Sequence, residues 1–385
     1  MINGSHPDAR FERKKTAIHI DWLLCVFTVP ILAAGLVTMQ SFIGESHLFA
    51  KQLLSIGIAL IFFFLFAFID VRFLKRTDVL VGAYLGFTAL LVILFIIGHV
   101  AKGAQSWFSI GGFSFQPSDL MKVILILVLA KYFSRRHVEI AHWKHIFISG
   151  LYALIPFGLV LLQPDFGSAM IIFLVWFGMT LVSGISKKHL LVVFTIGAIA
   201  FSGLWFFGFK EYQKDRIVNF IHPLVDIQGS GYNAYQSTIA VGSGQLVGKG
   251  LGYGTQSRLK FLPEYQTDFI FAAFAEEWGF VGACTLLLLF GLLIWRILSN
   301  AYKSATNFEM LFGMGIAILF MSHILINIGM NIGIMPVTGI TLPLMSYGGS
   351  HLIMEFTALG ILMGMRRYSR ATHRDKMKNE FLGIA

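Results

Sequence analysis

Apolar residues along this chain come in long blocks separated by short polar interruptions. Neither the one-sided stripe of a soluble helix nor the alternation of a half-buried strand fits them. Ten blocks stand out, at about 22–40, 53–69, 78–97, 119–133, 146–162, 167–185, 189–209, 279–297, 308–332 and 350–365. A hydrocarbon core about 30 Å thick takes about 20 mostly apolar residues in helical form. The pattern therefore predicts an all-α polytopic membrane protein of about ten transmembrane helices, with a large extracytoplasmic loop, 210–278, between helices seven and eight. From Asp268 to Trp295 the chain stays mostly apolar for 28 residues, about eight more than one span needs. A break near Gly279 resolves the excess: 268–278 becomes a short helix or re-entrant piece at the outer surface and 279–297 the span. Glu276 and Glu277 then fall near the outer boundary. No unit of 20–50 residues repeats and no pair of broken helices relates the two halves, which weakens an inverted-repeat transporter.

Composition agrees. Of 385 residues, 56% are hydrophobic and 13% charged, against about 45–50% and about 25% in soluble domains, and the mean hydropathy is +0.73. A cytosolic globule and a disordered chain are both excluded. Two cysteines, Cys25 and Cys284, each inside an apolar block, give no disulfide framework and no zinc knuckle. The net charge of +10 would suggest nucleic acid in a soluble protein, but the cations follow topology. With the N-terminus in the cytoplasm, 21 of the 30 Lys and Arg lie on inner segments or the span ends beside them, and the short outer loops hold only Lys51 and Lys102. Six more lie in the loop 210–267 and Lys122 inside a span. The reading is a single integral-membrane domain, 1–385, with a cytoplasmic tail at 1–19 and a basic cytoplasmic tail at 366–385 that touches anionic lipid. Arg10, Arg13, Lys14 and Lys15 precede a first span that serves as anchor, not as a cleaved leader. No nucleic-acid partner is expected.

Charges inside a bilayer need partners or water. Asp119 and Lys122 stand i, i+3 on the fourth helix, after a start at Pro117-Ser118, and share one face; they read equally as a structural ion pair or as a cavity wall. His323, Asn327 and Asn331, at i, i+4 and i+8, form a polar stripe on the ninth span, better read as helix-to-helix hydrogen bonding than as a transport path. Glu355 and Asp165 are single carboxylates with no obvious local partner. Asp165 follows Gln163-Pro164 at the outer end of span five and is the better functional candidate. Asp268 begins a helix at the outer water interface, where it serves either as a simple N-terminal charge or as a reactive group. The long loop sets Lys210, Lys214, Arg216, Lys249, Arg258 and Lys260 against Glu211, Asp215, Asp226 and Glu264. Its glycine-rich string 242–254 offers backbone amides that, with the cations, suit a phosphate, or else forms a flexible lid. It is not a P-loop, so no nucleotide is expected. Pro336 to Ser350 carries two prolines, three glycines and no charge; irregular backbone at that depth packs in protein or lines a cavity.

Several strings, taken in order, go beyond composition: Gly103-Ala-Gln-Ser-Trp107, Phe115-Gln-Pro-Ser-Asp119, Gln163-Pro-Asp-Phe-Gly167, Gly248-Lys-Gly, Phe261-Leu-Pro-Glu-Tyr-Gln-Thr-Asp-Phe-Ile-Phe271, Ala275-Glu-Glu-Trp-Gly279 and the stretch Pro336 to Ser350 with its Ser-Tyr-Gly-Gly-Ser ending. The chain resembles the shape, elongation, division and sporulation family from its first span to its last, and its elongation members more than its division members. The family commonly has Arg where Ser106 stands and Glu where Asp119 stands.

The resemblance implies a peptidoglycan glycosyltransferase of the bacterial inner membrane. It would polymerise lipid II on the outer face by inverting transfer, with release of undecaprenyl pyrophosphate. It implies a catalytic carboxylate at Asp268, with Asp165 and the pair Asp119 and Lys122 in support. Candidates to hold the pyrophosphate are Arg216, Lys249, Arg258 and Lys260, with Glu264 and Ser346 as further substrate-binding or supporting residues, and a divalent cation, Mg or Mn, is the one cofactor expected. Its partners would be a class B penicillin-binding protein and other elongation-complex proteins. Ser257 and Lys260 form a lone Ser-x-x-Lys without the companion strings of a transpeptidase, so cross-linking belongs to another protein. The rival readings are a lipid II flippase, whose path Asp119, Lys122, His323, Asn327 and Glu355 would line, and a non-catalytic scaffold. The clustering of distinctive residues on one outer face favours the enzyme.

Overall fold

A computed structural model describes residues 21–41, 46–97, 99–101, 104–110, 113–135, 143–184, 187–209, 211–222 and 231–381. The basic N-terminal flank, Lys102, Lys210 and Asp226 lie outside them. Helices α1 (Trp22–Gln40), α2 (Ser46–Phe68) and α3 (Thr77–Ile97) come first, α2 and α3 joined by a 3-10 turn over Val71–Lys75. Strands β1 (His99–Ala101), β2 (Ala104–Ile110) and β3 (Phe113–Phe115) follow, then α4 (Pro117–Ser134), α5 (Trp143–Leu162), α6 (Phe166–Val182) and α7 (Lys187–Gly203). The long loop contributes α8 (Glu211–Ile221), α9 (Tyr232–Ser243) and the single turn α10 (Thr255–Arg258). The chain ends with α11 (Ile270–Tyr302), α12 (Asn307–Asn331) and α13 (Gly349–Phe381).

Every one of the ten apolar blocks falls on a helix. Six of these helices, α1, α2, α3, α5, α11 and α12, are long and apolar enough to cross a membrane. One expectation needs correction and two gain detail. The protein is not all-α: the segment after α3 folds into an antiparallel sheet in the order β1-β2-β3, with Phe108 opposite Phe115. Antiparallel pairing satisfies the backbone N–H and C=O groups of a segment too short and polar for another helix. The long loop carries α8, α9 and the turn α10. And α13 runs on through Phe381, well into the segment read as a tail; the side chains of Arg370, Arg374, Lys376 and Lys378 lie outside those described.

The axis of the bundle is α12, which is buried along most of its length and packs on α11, α4 and α6. Its start is capped by Thr306, whose hydroxyl accepts from the Glu309 N–H at 3.4 Å, while Glu309 accepts from the Ala305 N–H at 3.2 Å and pairs with Lys75 at 2.7 Å. The most extensive helix contact is α13 on α2, and small residues allow it. A β-carbon at Gly360 would lie 2.6 Å from the Phe63 carbonyl oxygen and one at Gly364 2.5 Å from that of Phe66, the spacing that lets helix backbones meet in a membrane.

At the predicted break, Gly279 has φ 67° and ψ −168°, inside what is otherwise one helix of 33 residues. The loop after α9 fills the break. Gln245 and Leu246 carbonyls accept from the N–H groups of Phe280 and Val281 at 2.8 and 3.1 Å, and the Lys249 and Gly250 N–H groups donate to the carbonyls of Glu276 and Glu277, both at 3.0 Å. The piece before the break is thus pinned inside protein: Phe271 to Glu277 are all buried. At the far end of α11, Arg296 donates twice to Asp21, both bonds 2.7 Å, Asn300 donates once at 2.8 Å, and Arg366 of α13 completes the cluster.

Candidate functional site

Asp268 lies in a tight turn ahead of α11, two residues before the helix starts. The turn is organised by Glu264, whose left-handed backbone (φ 50°) points its carbonyl at the N–H groups of Thr267, Asp268 and Phe269, at 3.1, 3.1 and 3.2 Å. Two amides of the polar stripe hold the other side. Asn327 and Asn331 donate to the Asp268 carbonyl at 2.9 and 3.0 Å. Asn331 Oδ1 then accepts from the Ala272 N–H at 3.1 Å, and Asn327 also donates to the Ile340 carbonyl at 2.7 Å. The stripe makes helix-to-helix hydrogen bonds, Asn331 with Ala272 of α11 and with Ser237 of α9, and does more. It fixes the backbone of the carboxylate-bearing turn.

The third support comes from the uncharged segment between α12 and α13. Ser346 donates to the Thr267 carbonyl at 2.6 Å and accepts from the Leu342 N–H at 2.8 Å, and the Tyr347 N–H donates to Gln266 at 2.9 Å. Gln52 of α2 braces the same turn by donating to the Ser346 carbonyl at 3.0 Å. Gly339, at φ 74°, faces the Asp268 side chain closely: a β-carbon there would be 3.5 Å from Asp268 Oδ2. Backbone thus borders the carboxylate on the side of Thr338-Gly339.

Asp165 is close by but differently used. It caps α6, accepting from the Ser168 N–H at 3.0 Å, and its second oxygen accepts from Gln116 Nε2 at 2.9 Å. Gln116 in turn donates its N–H to Ser350 Oγ at 3.0 Å. The helix start it caps presses on the same segment, since a β-carbon at Gly167 would fall 2.7 Å from the Thr338 carbonyl oxygen. Beside this contact a small, partly open cleft is lined by Phe166, Phe209, Gln213, Arg216 and Pro336 to Thr338. One cation of the long loop therefore sits next to the segment that borders Asp268.

The remaining loop cations are placed otherwise. Lys249 is 2.7 Å from Glu276 Oε1, which also accepts from Thr255 Oγ1 and the Gln256 N–H, both at 3.1 Å, and is itself 0% exposed. The glycine-rich string spends its amides on this strut, with the Gly252 N–H donating to Glu277 at 3.0 Å. A lid with amides held out to an anion is not what it forms. Arg258 and Lys260 are exposed, and Lys260 has left-handed backbone (φ 58°).

Asp119 and Lys122 pair at 3.0 Å, both almost fully buried. The sequence reading missed what surrounds them. His351 of α13 lies 3.6 Å from Asp119 and 3.0 Å from Glu355, and its ring centre is 4.7 Å from that of His323, the two tilted by 41°. Glu355, far from lacking partners, also accepts the Leu344 N–H at 3.0 Å. The i, i+4 spacing of His351 and Glu355 was the signal available. Among the described residues no three His, Cys, Asp or Glu side chains are grouped to hold a metal ion.

Residues 15–371 match the profile of the FtsW, RodA and SpoVE family, described as cell cycle protein. The chain is 37% identical over 362 residues to stage V sporulation protein E of Bacillus subtilis, covering 91% of this chain and 98% of the relative. The chain belongs to this family. It is also 41% identical to peptidoglycan glycosyltransferase MrdB of Escherichia coli over 285 residues, 74% of this chain and 75% of the relative. The rod shape determining protein RodA of Thermus thermophilus superposes with a TM-score of 0.69 at 31% identity, covering 91% of this chain and 97% of that one. A chain from a peptidoglycan synthase complex that coordinates polymerization and crosslinking gives 0.78 at 32% identity, covering 91% and 98%. In this FtsW, RodA and SpoVE member, the family-like strings around Asp165, Asp268 and Ser346 converge on one end of the bundle.

Proposed function

We infer that the chain is a peptidoglycan glycosyltransferase that polymerises lipid II during cell elongation, with Asp268 as general base. One observation carries the base assignment. The turn bearing Asp268 is fixed by side chains from α12 and by the segment before α13, while its half-buried carboxylate lies against Gly339. Such fixing is what a group needs to meet a substrate hydroxyl within about 3.2 Å, where proton transfer contributes about 10² to 10⁴-fold. The 4-hydroxyl of one lipid-linked disaccharide attacks the anomeric carbon of another. Its proton passes to Asp268 and undecaprenyl pyrophosphate leaves with inversion.

Arg216 beside the cleft, with exposed Arg258 and Lys260, suits the pyrophosphate charge; Lys249 suits it less, since Glu276 already offsets its charge. A divalent ion would draw most of its ligands from the substrate phosphates, and the reaction as written passes no step through one. The charge pattern supports both termini in the cytoplasm and the site on the outer face. The likeness to a chain from a synthase complex supports a class B penicillin-binding protein as partner. Pairing of Asp119, Lys122, His351 and Glu355 with one another, deep in the bundle, speaks against a flippase path through them.

The test gives purified protein lipid II in detergent, alone and fused to a class B penicillin-binding protein, with glycan strands read on a gel. Wild type makes polymer, the fusion makes more, and Asp268→Asn makes none while inserting normally. Polymer from Asp268→Asn at near wild-type rate would refute the base assignment.

A further inference from the structure

Four titratable side chains outside the Asp268 turn, Asp119, Lys122, His351 and Glu355, meet in the interior of the bundle, and the reaction just described uses none of them. One of them reaches toward the site through a single hydrogen bond. Glu355 Oε2 accepts the N–H of Leu344, and Leu344 has φ 63°, left-handed backbone in a buried, branched residue. A leucine holds that conformation only when its surroundings impose it. Immediately after it, the N–H groups of Met345 and Ser346 return to the Leu342 carbonyl at 3.3 and 3.1 Å, closing the turn. Ser346 and Tyr347 then dock on Thr267 and Gln266, the two residues preceding Asp268.

We propose that Glu355 is a positioning residue for Asp268, acting through the Leu344 N–H and the docked turn 342–347. His351, paired with both Glu355 and Asp119, holds the Glu355 carboxylate at the height of that N–H. Removing the acceptor strands a buried donor and releases Leu344 toward right-handed backbone, which swings Ser346 off the Thr267 carbonyl. Asn327 and Asn331 still hold the Asp268 carbonyl, so the turn shifts without melting. A displacement of about 1 Å at a reacting group costs about 100-fold in rate, and contacts to the lipid tail and phosphates are untouched. The loss belongs in kcat, not in KM.

This inference rests on Asp268 as the base, and the experiment separates the two. Glu355→Gln keeps an oxygen for the Leu344 N–H and turns its amide to His351. Glu355→Asp keeps the charge but is one carbon too short to reach. Lipid II polymerisation by full-length protein in detergent should show Glu355→Gln within about threefold of wild-type kcat and Glu355→Asp down by about 10- to 100-fold, with KM within about threefold for both. Ser346→Ala should be similarly slow, and Ser346→Ala with Glu355→Asp no slower than the worse single variant, because both cut one route. Amide exchange over 342–347 should quicken in Glu355→Asp alone of the two Glu355 variants. Equal rates for the two, the reverse order, an effect confined to KM, or independent losses in the double variant would overturn the proposal. An active Asp268→Asn would refute the base instead, and the exchange result would still report whether Glu355 holds the turn.

Discussion

At the scale of single residues, the chain keeps its charges by pairing them, and the pairs are not symmetric. Asp119 has two partners, Lys122 at 3.0 Å and His351 at 3.6 Å. Lys122→Met leaves Asp119 with His351, whereas Asp119→Asn leaves an ammonium uncompensated in the bundle. Breaking a buried pair costs roughly 3 to 5 kcal/mol. Asp119→Asn should therefore lower thermal stability in detergent more than Lys122→Met, and the double variant less than the sum of the two. Additive losses in that cycle would show that the pair is not coupled. The pair itself was legible in the sequence, because i, i+3 on one helix is a local relation. The roles of Asn327 and Asn331 were half legible: their shared face is visible in spacing, but their acceptor, the Asp268 carbonyl, lies 59 and 63 positions away. At Asp165 the sequence shows a carboxylate after Gln-Pro and hides that each of its oxygens accepts a hydrogen bond.

At the scale of elements, the break in α11 gives the sharpest test. Gly279 combines backbone that only glycine adopts readily with close approach: a β-carbon there would lie 2.2 Å from the Gly248 nitrogen and 2.7 Å from the Leu246 carbonyl oxygen. Gly279→Ala should cost at least about 1 to 3 kcal/mol from backbone strain alone. It should also raise amide exchange at Lys249, Gly250, Phe280 and Val281 together. Gly291→Ala on the same helix, where nothing lies within 4 Å of the new carbon, should leave both readings unchanged or gain slightly. If the two alanines behave alike, the strut between the glycine-rich loop and the break is not structural. Helices were legible because apolar block length is fixed by bilayer thickness, and the break because 28 residues overfill one span. The three strands and the helices α8 and α9 were not: β1 and β3, three residues each, leave almost no period to read, β2 does not alternate apolar with polar residues, and α9 is held by long-range packing on α11 and α12.

At the scale of the whole molecule, Asp21 ties the start of α1 to α11 and α13. Burial pushes its carboxyl up, but hydrogen bonds from Arg296 and Asn300 and the charges of Arg366 and Arg296 hold it below the ordinary carboxylate value. A carboxyl lowered in the folded state stabilises above its unfolded pKa, about 3.9, and loses that contribution as pH falls through the folded value. Thermal unfolding in detergent should therefore show wild type losing stability below about pH 4 relative to Asp21→Asn, which is weaker at neutral pH and lacks that step. Parallel curves for the two proteins would remove Asp21 from the account. The cluster was invisible in sequence, where Asp21 follows a basic flank that also holds Asp8 and Glu12. Arg366 lies 345 positions after Asp21, and translation runs at about 5 to 20 residues per second. The first span must therefore wait roughly 17 to 70 s after its own synthesis for its last counter-ion. Until Arg296 is made, 275 residues after Asp21, the nascent protein carries an unmatched acid at the edge of the membrane, and until Arg366 an incompletely matched one, an interval in which quality-control proteases can recognise a chain interrupted before α13.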